Sequence, residues 1–471
     1  MSTKKSPVVE VVETPFYETE KRFEADGING YDSVLFTVCD IFGRPRGKFA
    51  VGRGIQRFVK EGMEMPHTTC VLGFNSEPPK TIPKYSQGKS TIWRMFPDLS
   101  TLRRLSWLCK DGKKVGQVLC DLYDSNGDPE MYSPREIAKR QIAALKDIGF
   151  QILSAHEAEY MMFHKGTLNP MGGNFNDVIN MLRLDGELSF LYDNMTGLLN
   201  SGIPVETQME EFQPGQVEYS LQPQYGIKMA DCVHRLRYVA KAVAQTGGFD
   251  AIFMTRPKAE NQSNGYHLNH SLWTLDGKNA FYDPNGDHKC SDILRHWVAG
   301  LILHANALLA LFNPTLNCYE RLHGFFSPSD NVWNYDDRNA RLRVKTKGKN
   351  IHIEDRSPSS ASNPYLVIAG LIAAGMDGIV NKLECPPPVE FRPLMSGDER
   401  AKTKNPLAKT MDEALQALGE NTVLKRALGE DFVNDYIALC KEFQIDKLKE
   451  FSDKEPSIRF EAARKLFLYN L

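Results

Sequence analysis

The chain has 471 residues, with 57 Lys and Arg against 59 Asp and Glu and a formal net charge of −2. That length points to about two or three domains, and 42% apolar with 25% charged residues is an ordinary globular balance. A near-neutral chain offers no broad basic field for nucleic acid or an anionic membrane, which excludes both as expected partners. Nine scattered cysteines without a CxxC pair exclude a disulfide framework and a cysteine zinc site, and point to a reduced, cytoplasmic setting.

In chain order, MSTKKSPVVEVVETPF lacks an apolar signal core, and residues 1–24 read as a short disordered lead. Tyr31 to Phe49 is β-rich around the turn Asp40-x-x-Gly43 and predicts a hairpin. Leu72 to Arg94, rich in Gly, Pro, Ser and Lys, predicts a long loop. Residues 97–107 and 116–123 predict strands closing a small α+β domain over 25–128. The turn-rich stretch 124–132 predicts the boundary to one large α+β domain over 129–471.

Ser133, Pro134 and Glu136 form a capping box, and Ile137, Ile142, Leu145 and Ile148 give a helical stripe that Gly149 ends. SAHEAEYMM then predicts a strand with Glu157 and Glu159 on one face, roughly 6–7 Å apart. Two carboxylates on a buried face are costly without a positive partner. The most apolar run, Val298 to Phe312, predicts one buried helix, too short for a membrane span. The C-terminal third reads as mainly helical.

The pattern of polar residues on strands recurs. QMEEFQPGQVEYSL places Glu211 and Glu218 on either side of Pro214-Gly215. NGYHLNHSL puts His267, Asn269 and Ser271 on one face, NARLRV does the same for Arg341 and Arg343, and IHIEDR for His352, Glu354 and Arg356. Strands with polar groups on an inner face predict a sheet curved around a polar cavity. Five glutamates and a histidine suit hard divalent cations, Mg²⁺ or Mn²⁺ rather than zinc. Arg321, Arg338, Arg343 and Arg356 suit phosphate or carboxylate oxygens. Together they are the equipment of phosphoryl transfer without a P-loop.

With these motifs in hand, the chain resembles the glutamine synthetase superfamily from about residue 25 onward. FTVCDIFGRPRGK is similar to its N-terminal β-grasp domain, HEAEY to its ExE strand, and EEFQPGQVEYS to its HE-x-x-PGQ-x-E segment. NGYHLNHS resembles the nucleotide-site segment, NPTLNCYERL the substrate-arginine motif, and IEDRSPSSASNPYLVIAGLIAAGMDGI the strand and helix beyond it. The resemblance implies an α+β fold, a β-grasp domain followed by a catalytic domain with a curved antiparallel sheet. It implies rings of subunits, dodecameric in kind, whose sites are completed by the neighbour's N-terminal domain.

The implied roles follow residue by residue. Glu159, Glu211 and Glu218 resemble the ligands of one metal, and Glu157, His267 and Glu354 those of a second near the ATP phosphates. Arg321 and Arg356 resemble the arginines holding the glutamate carboxylate, and Arg338 the one at the transferred phosphate. Glu206, Asn269, Ser271, Arg343 and Lys349 fall at nucleotide-site positions. The implied activity is an ATP- and Mg²⁺-dependent (or Mn²⁺-dependent) ligase joining an amine to the γ-carboxylate of glutamate through γ-glutamyl phosphate.

The chain departs from that pattern at the amine pocket. Ser327 stands where ammonia-using members carry a flap glutamate, and Asn75 is nearest to the expected ammonium-site aspartate. Asn269 replaces a second histidine, Arg256-Pro257 a Lys-Pro pair, and His352 an arginine. Two readings result: a ligase for ammonia or a larger amine, or a catalytically silent structural oligomer like the lengsin branch.

Overall fold

The computed structural model describes residues 27–86, 91–173, 178–179, 186–260, 263–322, 327–389 and 405–471. The lead expected over 1–24 lies outside them.

Two sheets organise the chain. The first contains β1 (Ser33–Cys39), β2 (Pro45–Val51), β3 (Met63–Pro66), β4 (Ile92–Arg104) and β5 (Val115–Tyr123), in the order β2-β1-β5-β4-β3. The expected hairpin is present as antiparallel β1 and β2, while β1 pairs parallel with β5 at the sheet centre. Asp40 shapes the hairpin turn by accepting from the backbone N–H of Phe42 at 3.0 Å and of Arg44 at 2.9 Å. Gly43 adopts φ +85°, and a Cβ there would lie 3.0 Å from an Arg237 nitrogen, so the turn needs glycine on both counts. The expected loop from Leu72 to Arg94 ends early, because a short helix forms at Pro83–Ser86 and β4 begins at Ile92.

Ser133 caps the helix Pro134–Asp147 as its spacing predicts, accepting from the Glu136 N–H at 3.4 Å. This helix also ties the first sheet to the rest of the chain. Arg135, 3% exposed, bonds Asp98 at 2.7 Å and Asp121 at 2.6 Å on the first sheet. It also bonds Asp231 at 2.9 Å on the helix Lys228–Thr246. The Tyr365 hydroxyl donates to the same aspartate at 2.7 Å.

The second, nine-stranded sheet is curled and almost wholly antiparallel. It comprises β6 (Phe150–His164), β7 (Val205–Glu210), β8 (Gln216–Leu221), β9 (Gln224–Tyr225), β10 (Phe249–Ile252), β11 (Tyr266–Thr274), β12 (Trp333–Tyr335), β13 (Leu342–Lys347) and β14 (Asn350–Asp355). Long β6 is its spine, pairing with β11, β8, β9 and β10. Alternation on β6 sends Ala158, Tyr160 and Met162 into an apolar cluster with Leu236, Val239 and Ala240. Glu157 and Glu159 are thereby left on the inner face.

A larger core lies behind β14, where Ile351 and Ile353 are buried with the helix Pro364–Val380. The run Val298 to Phe312 is two helices rather than the single one its apolarity predicts, Asp292–Leu303 and Ala305–Phe312, bent by 75°. The bend falls at His304, whose Nε2 meets Asp377 Oδ2 at 2.9 Å and whose Nδ1 meets Asn421 Nδ2 at 2.8 Å. Those two side-chain contacts hold a non-helical residue inside an apolar stretch. No single helix among the described residues is long and apolar enough to cross a membrane.

Candidate active site

Register across the curled sheet assembles the site. Glu157 stands opposite His267 on β11, and Glu159 stands opposite Glu218 on β8. Glu354 on β14 is flanked by Asn269 on one side and Arg343 on the other. Because these strands are antiparallel and adjacent, residues distant in sequence meet at cross-strand spacing. Glu211 joins them from the turn after β7, where its N–H donates to the Gln216 carbonyl at 2.9 Å.

All six carboxylate and histidine candidates, with Arg321, Arg338, Arg343, Arg356 and Ser327, line one cavity of about 470 Å³. A second cavity of about 390 Å³ is lined by Glu206, Asn269, Ser271 and His352, and Glu157 lines both. Ser271 accepts from Trp273 Nε1 at 3.0 Å, and Asn269 donates to Glu157 Oε1 at 2.9 Å. Lys349 lies outside both linings, exposed where β13 turns into β14, although its neighbours Asn350 and Ile351 line the second cavity. Asn75 is likewise exposed and outside both linings, with its Oδ1 accepting from Asn470 at 3.3 Å.

Arg341 and Arg343 do not share a face as expected. Arg341 precedes the first residue of β13 and turns inward, bonding Asp355 at 3.1 Å and Asn331 at 2.8 Å. Only Arg343 reaches the cavity, 3.1 Å from Glu354. Arg321, 2% exposed, donates to the carbonyls of Ser357 at 3.2 Å and Arg356 at 2.8 Å, and meets His267 Nε2 at 3.3 Å.

The carboxylates fall into two electrostatic groups. Glu354 receives Arg356 at 2.5 Å, Lys345 at 2.7 Å and Arg343 at 3.1 Å. Burial pushes its carboxyl up, but His267, Arg356 and Lys345 hold it well below the usual range. Glu157 is likewise raised by burial and brought below its ordinary value by the hydrogen bond and charge of His267, 3.2 Å away. Glu218 is the reverse case: burial, then repulsion from Glu159, Glu157 and Glu211, pushes it up to about 9. Burial and Glu159 also raise Glu211. No ion pair joins Glu159, Glu211 or Glu218 among the described residues.

The donor set fits divalent cations. Ligand atoms of Glu157, His267 and Glu354 all lie within 4.8 Å of one another, a spread that small side-chain rotations close around one ion. Three carboxylates repelling each other, the buried Glu159 and Glu218 with the half-buried Glu211, are the complementary oxygen cluster. Space for ligands comes from Gly265, where a Cβ would fall 2.9 Å from Arg321 Nη2, 3.0 Å from His267 Nε2 and 3.1 Å from Glu159 Oε1. The Gly265 N–H and Gln216 Nε2 orient Glu159 from 2.7 and 3.0 Å.

Two of these residues escape sequence reasoning. Gln216 sits inside the PGQ turn, which reads as a turn and not as a ligand holder. Lys345 belongs to the alternation Arg343, Lys345, Lys347 on β13, a signal visible in the sequence once the strand is carried past Val344.

The chain also matches known proteins. Residues 131–455 match the model of the glutamine synthetase catalytic domain. A glutamine synthetase from Methanococcus voltae is 33% identical over 431 residues, covering 90% of this chain and 95% of that protein. Lengsin from Homo sapiens is 30% identical over 424 residues, covering 88% of this chain and 80% of that protein. Among solved structures, a novel glutamine synthase homolog superposes with TM-score 0.79 at 22% identity, covering 93% of this chain and 99% of that one. A complex of GmaS with ADP superposes with TM-score 0.78 at 22% identity, covering 93% and 97%.

Proposed function

Given that the chain belongs to the glutamine synthetase family, we propose that it is an ATP-dependent ligase joining an amine to the γ-carboxylate of glutamate. The observation that carries this reading is the single cavity in which six hard-ligand residues face four arginines. Divalent cations, Mg²⁺ or Mn²⁺, would be held by Glu159, Glu211 and Glu218 and by Glu157, His267 and Glu354, where they would neutralise phosphate charge.

The chain's own residues supply binding and orientation. The second cavity, with Glu206, Asn269 and Ser271, takes the nucleoside, and Glu157 at the junction directs the phosphates into the first. Arg321 and Arg356 take the substrate carboxylate, both anchored by the buried segment around Ser357. Arg338 and Arg343 receive phosphoryl oxygens, for which the guanidinium fork is suited. The γ-carboxylate oxygen attacks the terminal phosphorus and ADP leaves. The amine nitrogen then attacks the acyl carbon, phosphate leaves, and the amine proton passes to water. Ser327 in the cavity wall carries no charge to attract ammonium, which favours an uncharged or larger amine as acceptor.

The structural alternative, a catalytically silent oligomer like lengsin, has one specific support: Ser327 and Asn75 stand where acids are expected. Phosphate release from Mg-ATP and glutamate, measured against ammonia, methylamine, ethanolamine and putrescine with product mass, decides between them. An amide with one amine establishes the ligase. Nucleotide binding without turnover establishes the silent protein.

A further inference from the structure

We infer that the ammonium of Lys345 is a built-in cation of the Glu157–His267–Glu354 cluster and competes with a divalent ion for it. The inference rests on the metal-dependent reading above and goes beyond it in naming the residue that sets occupancy. Lys345 lies 2.7 Å from Glu354 Oε2 and 3.9 Å from Glu157 Oε1, and its Nζ donates to Asn269 Oδ1 at 3.3 Å. It thus touches two of the three candidate ligands and the residue orienting one of them.

The placement is dictated by the fold. Arg343 and Lys345 alternate onto the same face of β13, and Arg343 faces Glu354 directly across the antiparallel pair with β14. Lys345 pairs with His352, one inner-face position along β14, so its side chain reaches diagonally to Glu354. With Arg356, three cations converge on one carboxylate. The cluster's two carboxylates are thus matched by protein charge alone, whereas Glu159, Glu211 and Glu218 have no ion pair among the described residues. A divalent ion entering the first cluster must move the Lys345 ammonium off Glu354, against repulsion from it and both arginines at short range.

The test is titration with Mn²⁺, followed by the EPR signal of the free ion, in the wild type and in Lys345→Met, with Lys345→Gln as a second neutral replacement. Loss of the ammonium is expected to tighten one of the Mn²⁺ sites on the order of tenfold or more. Adding Glu354→Gln to Lys345→Met is expected to abolish that gain. Isotherms of both neutral variants that superimpose on the wild type overturn the role of Lys345 while leaving the metal reading in place. An absence of Mn²⁺ binding in every protein overturns the metal reading itself, and this inference with it.

Discussion

Glu159 and Glu218 face each other directly across β6 and β8, both buried, with no arginine or lysine ion pair on either among the described residues. Opposed like charges at this spacing are destabilising unless something cationic enters. The first prediction concerns that pair. Glu159→Gln keeps the shape and removes one charge, and metal-dependent ATP turnover is expected to fall by about a hundredfold, because Oε2 accepts from both the Gly265 N–H and Gln216 Nε2 and the amide has only one oxygen left to share between them and an ion. Unchanged turnover in the presence of saturating Mg²⁺ would remove Glu159 from the site.

Arg321 is predicted to act on glutamate and not on nucleotide. Replacing it by alanine is expected to raise the glutamate KM roughly 10- to 100-fold, the equivalent of one charged hydrogen-bonding contact. ADP affinity, measured by calorimetry, should stay within about threefold of the wild type. Equal loss of both would show that Arg321 supports the Ser357 segment instead.

Ser327→Glu tests the amine pocket. A carboxylate in this wall attracts ammonium and accepts its proton, so use of ammonia relative to a larger amine is expected to rise by about tenfold or more. Competition between the two amines, read by product mass, measures the ratio directly. No change would place the acceptor away from Ser327.

Arg135 ties the N-terminal sheet to the helix Lys228–Thr246, and its removal is predicted to be costly. Arg135→Met leaves Asp98, Asp121 and Asp231 without their shared partner, a loss of about 3–5 kcal/mol. Denaturant unfolding should show the N-terminal sheet releasing early. A coincident transition at the wild-type midpoint would contradict the clamp.

Acid is expected to destabilise the protein through three buried histidines. Burial, the largest influence on each, lowers His156 and His270 to about 4 and His234 to about 3. These are neutral in the fold and become protonated on unfolding near their ordinary value, so the folded state binds fewer protons between roughly pH 4 and 6.5. Stability is therefore full above about pH 6.5 and falls as pH drops through that window, by about 4 kcal/mol at pH 5.5 for the three together. His234→Leu, which removes one of the three titrating rings, should flatten the slope by about a third. An unchanged slope would mean that His234 does not titrate on unfolding.

Much of the site is legible in the chain because strand alternation is a local rule. Glu157 with Glu159, His267 with Asn269, and His352 with Glu354 each lie two residues apart, and a period of two puts each pair on one face whatever the rest of the fold does. The capping box at Ser133 and the turn at Asp40 are legible for the same reason, since their hydrogen bonds close within four residues.

Local rules fail where a long-range partner competes. Arg341 obeys the alternation of Arg343 in sequence, yet Asp355 and Asn331 draw it into the core. The apolar run through Val298 breaks at His304 because Asp377 and Asn421 bind its ring.

By itself, then, the sequence determined which residue types lie on which strand faces, and through its ordered motifs the family to which the chain belongs. Tertiary structure alone decided which faces meet. Cross-strand register brought Glu159 to Glu218 and Lys345 to Glu354, and register depends on pairings between segments tens to hundreds of residues apart, whose energies no local window contains. Among the described residues, the same pairings leave one carboxylate cluster without an ion pair and give the other a lysine, and that difference in charge is a property of the folded sheet.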